Sequence, residues 1–138
     1  MKKNIISKGF CIVLCLIAIF EIAITAGAIE VMPFYNQVNT ARCSLDISAA
    51  GKATAEVTVT TREYASLQGT IQLKKVTDNG EQTVATWNAS GSMRLSETHT
   101  CFVTSGYAYK LYASVNVFST GGVYCETVYL ESDEVYYG

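Results

Sequence analysis

Between Cys43 and Glu131 apolar and polar residues alternate one for one through stretch after stretch, and that habit excludes most ways of folding this chain. A strand sends successive side chains to opposite faces, so a period of two puts one face in a core and the other in water. A helix needs a period near 3.6. Cys43, Leu45 and Ile47 interleave with Ser44, Asp46 and Ser48, and Ala53, Ala55, Val57 and Val59 with Thr54, Glu56, Thr58 and Thr60. Leu67, Ile71 and Leu73 stand opposite Gln68, Thr70, Gln72 and Lys74. The longest series places Tyr107, Tyr109, Leu111, Ala113, Val115 and Val117 on one face, with Tyr112 and Phe118 on the other. From residue 29 onward no window holds a sustained apolar stripe at helical spacing, and the chain carries 14 Thr, 12 Val and 9 Tyr there, types that fit a pleated, half-buried surface.

Turn chemistry divides this pattern into about seven strands. Ala49-Ala50-Gly51, Asp78-Asn79-Gly80, Gly91-Ser92, Ser105-Gly106 and Gly121-Gly122 punctuate it, and Asn-Gly is a strong short hairpin signal because both residues tolerate positive φ. The returning strand after Asn79-Gly80 covers Glu81 to Ala89, and the stretch from Met93 to Thr104 holds one strand or two short ones. Strands that are apolar on one face bury it by stacking as two antiparallel sheets, an all-β sandwich. A closed barrel is the alternative.

The first thirty residues are of another kind. Lys2, Lys3 and Lys8 precede an unbroken apolar run, Phe10 to Phe20, and Ala26-Gly27-Ala28 presents small residues where a signal peptidase cuts. The expected organisation is a signal segment in a helix over 1–28, a linker over 29–39, a sandwich over 40–132 and a tail over 133–138. An uncleaved anchor is the alternative, since residues 9–29 are long enough to span a bilayer; Glu21 opposes it, because a carboxylate near mid-span costs about 2.5 to 3.5 kcal/mol. The destination read from this is secreted or held at the cell surface, with membrane contact only through an uncleaved signal. Of 138 residues, 10 are basic and 12 acidic, so no cationic surplus exists to neutralise phosphates, and nucleic acid is excluded as a partner.

Two resemblances follow from the strand beginning at Tyr107. In immunoglobulin-like domains the sixth strand carries a tyrosine at its start and a core residue two positions on, and Tyr109 and Leu111 resemble that pair. The segments IQLKKVTDNGEQTVATW and SGYAYKLYASVNVFSTGGVYCETVYLES resemble small, uncharacterised exported proteins of Gram-positive, Clostridia-type bacteria. The resemblance spans roughly residues 40 to 132 and implies an immunoglobulin-like sandwich with no catalytic residue to carry over. Immunoglobulin-like strand order also implies that Cys43 and Cys125 begin strands at one pole, with Cys101 at the other. A Cys43–Cys125 disulfide is the expectation on that order; three reduced, buried thiols are the alternative.

Few residues carry candidate chemistry. His99 and Cys101 share a face at i, i+2, but no third group orients them as a nucleophilic pair. Glu56, Glu63, Glu97 and Glu126 are scattered carboxylates, and neither zinc-ligand spacing nor a phosphate-binding glycine loop occurs. Asn88-Ala89-Ser90 forms a glycosylation sequon, idle in a bacterial setting. Non-enzymatic binding without a cofactor, metal or catalytic residue is therefore the expectation. The aromatic inventory points to binding, and Trp87, Tyr112, Phe118 and Tyr124 are the candidate contact residues. The partner classes are a protein or a glycan at the cell surface. The functional expectations are a surface-interaction module, a carbohydrate-binding module, or a secreted antagonist of other cells. If extended and unpaired, Val135-Tyr136-Tyr137 offers an edge for augmentation by another chain.

Overall fold

A computed structural model describes residues 36–138. The expected signal segment and residues 29–35 of the expected linker lie outside the described residues. The order is β1 (Val38–Ile47), β2 (Lys52–Thr61), β3 (Ala65–Thr77), β4 (Gly80–Ser92), β5 (Arg94–Phe102), β6 (Tyr107–Ser119), β7 (Tyr124–Glu131) and β8 (Val135–Tyr137). All pairings are antiparallel. They form two sheets, β1-β2-β5 and β4-β3-β6-β7 with β8 also on β6, linked at one corner by the single pair Ser92↔Arg94.

This is an immunoglobulin-like sandwich. The fourth strand lies beside the third on the larger sheet, not beside β5 on the smaller one, because the β3–β4 hairpin stays paired from Thr77↔Gly80 to Ser66↔Ser92. The turn residues are Asp78 and Asn79. Only Gly80 takes positive φ, at 111°, so the loop is not an Asn-Gly turn with two left-handed residues. At the far end β4 runs through Gly91-Ser92 without a break and turns at Met93, whose φ is 59°. The corner is held by Met93 N–H donating to the Ala65 carbonyl and Thr61 N–H to the Met93 carbonyl, both at 2.8 Å. Met93 to Thr104 accordingly yields one strand, β5.

The core sits where the period-two pattern places it. Val57, Val59, Leu67, Ile71, Leu73, Leu95, Leu111, Val115, Val117 and Val128 are fully buried between the sheets. Each such side chain contributes about 1.5 to 3 kcal/mol of transfer free energy. Tyr109 joins them, and its hydroxyl donates to the Thr104 carbonyl at 2.6 Å, the upstream backbone bond expected of a tyrosine at the start of a sixth strand. Tyr107 departs from the series: it lies beyond the end of the sandwich, 37% exposed, with the Lys75 ammonium 4.3 Å from its ring centroid.

Both expected domain edges shift. β1 begins at Val38, inside the expected linker, and the tail forms β8. Tyr107, Ala108 and Tyr109 of β6 pair with Tyr137, Tyr136 and Val135 in the line that β7 began. The interruption is anchored by Ser132, whose N–H donates to the Leu111 carbonyl and whose hydroxyl accepts from Leu111 N–H, each at 2.9 Å. The Tyr137 ring covers Gly51, where φ is +80° and a Cβ would stand 2.9 Å from the tyrosine hydroxyl. One backbone edge of the tail is thus already taken by β6.

Candidate functional site: the outer face of the larger sheet

The register of β4, β3, β6 and β7 lays the outward residues of the larger sheet in straight rows across the strands. One row is Asn88, Thr70, Ser114, Tyr129. Beside it on one side run Thr86, Gln72, Tyr112 and Glu131, and on the other Ser90, Gln68, Asn116 and Thr127. These positions alternate with buried Leu67, Ile71, Leu111, Ala113 and Val115, so the core fixes which side chains reach this face. Two shallow concavities lie here. One of about 490 Å³ is lined by Thr70, Gln72, Tyr112, Ser114, Tyr129 and Glu131 among others, and one of about 420 Å³ by Gln68, Thr70, Asn88, Ser90, Ser114 and Asn116 among others. Thr70 and Ser114 belong to both.

The charges at one end of this face are spent on each other. Lys110 pairs with Glu131, and Lys74 lies 3.6 Å from Glu81. The Tyr112 hydroxyl donates to the Glu81 carboxylate at 2.5 Å, which holds Glu81 below the usual carboxylate range and raises the tyrosine. Its ring lies under the Lys74 ammonium, 4.7 Å from the centroid. Glu131 in turn raises Lys110. At the other end Phe118 meets Tyr124 edge to face with centroids 6.1 Å apart, and the Tyr124 and Thr127 hydroxyls are hydrogen-bonded at 2.9 Å.

Three of the four expected aromatics, Tyr112, Phe118 and Tyr124, therefore share one exterior face. Trp87 does not. It pairs with inward-facing Ile71 and stacks on His99 across the open side between β4 and β5, with centroids 5.0 Å apart and planes 7° from parallel. Its place on that side is a packing position, because the edges of the two sheets meet there without further backbone pairing. Tyr129, 72% exposed, was missed among the candidates. Its signal was present: it falls between inward Val128 and Leu130, so period two alone sends it outward.

The remaining sequence candidates are dispersed. Glu56 lies on the outer face of the smaller sheet, Glu63 in the β2–β3 connection, and Glu97 on β5 with its carboxylate 3.4 Å from His99 Nε2. Glu126 accepts from the Gln37 and Asn36 N–H groups at 2.8 and 3.2 Å. His99 and Cys101 do share a face, but burial raises the Cys101 thiol, the opposite of what a thiolate nucleophile requires. Among the described residues no group of three or more His, Cys, Asp or Glu side chains is placed to hold a metal ion.

Cys43, Cys101 and Cys125 are free thiols, and the expected Cys43–Cys125 bridge is not formed. β1 and β7 do start at one pole, since Gln37 is level with Glu126, but Cys43 lies six residues further along, where it shares a groove with Leu130 and Glu131. At about 3.3 Å per residue that separates it from Cys125 by about 20 Å, against a limit near 7 Å between bridged Cα atoms. Burial, with Glu131 and Asp133 nearby, pushes the Cys43 thiol up to about 11.

No protein-family model and no curated protein matches the chain. Among solved structures it is similar to the solution structure of R. palustris CsgH, at 12% identity and a TM-score of 0.39, over 67% of this chain and 89% of that one. A likeness at that distance transfers neither site nor ligand.

Proposed function

We propose that this chain is an exported, non-enzymatic binding module that takes its ligand on the outer face of the larger sheet. The observation that carries the reading is the segregation of surface chemistry. Tyr112, Phe118, Tyr124 and Tyr129 gather on that face around hydroxyl and amide side chains. The outer face of the smaller sheet carries Arg42, Asp46, Glu56 and Arg94 with one aromatic, Phe102, at its end. Tyrosines offer contact area at little entropic cost, and an exterior that needed only solubility would favour the second composition. The single histidine is stacked on Trp87, its Nε2 3.4 Å from the Glu97 carboxylate without a hydrogen bond, and the Cys43 and Cys101 thiols are held away from the thiolate, which favours binding over catalysis. Export rests on the basic start, apolar run and small-residue cleavage pattern of residues 1–28.

Retention of the secreted protein on cell surfaces tests the reading. Ser114→Arg, in the middle of the proposed face, is expected to reduce retention strongly, whereas Thr58→Arg, on the outer face of the smaller sheet, is expected to leave it unchanged. Equal retention of both variants and the parent protein would overturn it.

A further inference from the structure

We propose that the ligand of this face is an uncharged, hydroxyl-rich glycan chain lying across the strands, in a trough with Thr70 and Ser114 as its floor. The assignment rests on the reading that the larger sheet's outer face is the binding surface. Thr70 and Ser114 are neighbours in register on adjacent strands, and both concavities are lined by them, so the two depressions adjoin along that pair. Gln72 and Tyr112 form one wall and Gln68 and Asn116 the other, and the floor row runs on to Asn88 and Tyr129 at its ends. Four strands at about 4.8 Å spacing make that row about 14 Å long, more than one sugar ring.

The chemistry of the trough selects the occupant. The side chains of Gln68, Thr70, Gln72, Asn88, Ser90 and Ser114 make no hydrogen bond to any other described residue. Hydroxyls and primary amides both donate and accept, as sugar hydroxyls do, so such a set can match a polyol at many orientations. None of the six is ionisable. The charged groups at the margin are matched in pairs, Lys110 with Glu131 and Lys74 with Glu81, so no net charge is left there to attract a charged polymer. An apolar protein hot spot needs a desolvated aromatic pocket, and this floor is a threonine and a serine. Tyrosine at the end of the floor and in one wall suits the apolar C–H face of a pyranose ring.

The test is affinity electrophoresis of the secreted protein through gels containing soluble mixed-linkage β-glucan, galactomannan or xylan, with polygalacturonate as the anionic comparison. At least one neutral polysaccharide is expected to retard migration. The dissociation constant should rise about tenfold or more in Ser114→Arg and in the truncations Gln72→Ala and Asn116→Ala, and stay unchanged in Thr58→Arg. Raising salt from about 50 to about 500 mM should leave retardation intact. If Ser114→Arg loses cell-surface retention while no neutral polysaccharide retards the protein, the glycan assignment is overturned and the surface reading stands. If polysaccharide is bound equally by every face variant, the trough is overturned. Retardation by polygalacturonate alone, weakened by salt, would replace the neutral ligand with an anionic one.

Discussion

At Gly91 there is no room for a methyl group. A Cβ there would overlap the carbonyl oxygen of Arg94, because β4 and β5 approach most closely just where the chain passes from one sheet to the other. Gly91→Ala must therefore part the corner, and we expect a loss of about 2 kcal/mol or more, read from the urea midpoint. Gly80, by contrast, has open space around it, and its constraint is the positive φ alone. With Cys43 held at about 11 against an ordinary 9.0, its thiolate fraction at about pH 8 falls about 100-fold. An aromatic disulfide reagent should modify exposed Cys125 in a fast phase and Cys43 in a much slower one; comparable rates at the two sites would contradict the placement of Cys43 against the core.

Among the elements, β8 is the one whose role is most open to test. It continues the edge that β7 lays along β6, and Tyr137 closes the opposite side by covering Gly51, with Gly106 N–H donating to its carbonyl at 2.6 Å. Removing residues 133–138 should cost about 2 kcal/mol through lost pairing and the uncovered tyrosine contact, and should speed hydrogen exchange at the start of β6. An unchanged denaturation midpoint would show that the tail merely rests on the sheet. Strands β2, β3 and β6 were legible because their inward series are long, interrupted in β3 only by Gly69, and period two then also assigns Tyr112 and Phe118, and Tyr129 on β7, to the outside. The β4–β5 corner was less legible. Gly91-Ser92 carries the composition of a turn, yet here glycine serves a close backbone approach inside a strand, and the reversal falls on Met93.

For the whole molecule, the shifted groups act together on the alkaline side. Cys43, Tyr109, Tyr112 and Lys110 all hold their protons more tightly in the folded state than their ordinary values imply. A raised value means the contribution to stability is complete below the unfolded value and disappears as pH climbs through the folded one. Stability should thus be level up to about pH 9 and decline from there to about pH 11 and beyond. Urea midpoints across that range would measure it, and Cys43→Ala should remove part of the slope. A midpoint that rises over the same interval would refute the assignment of these shifts.

Alternation along the backbone by itself determined that this chain makes one-faced strands, which residues of the long series fill the core, and that Tyr112 and Tyr129 face away from it, because side-chain direction in a strand is a local property. Only the tertiary structure decided that β4 stays with β3, that Cys43 and Cys125 stand far apart, that Trp87 turns inward onto His99, and that Thr70 and Ser114 stand side by side in register. Those outcomes depend on pairing and register between segments distant in the chain, and a local period contains no term for how such segments are aligned.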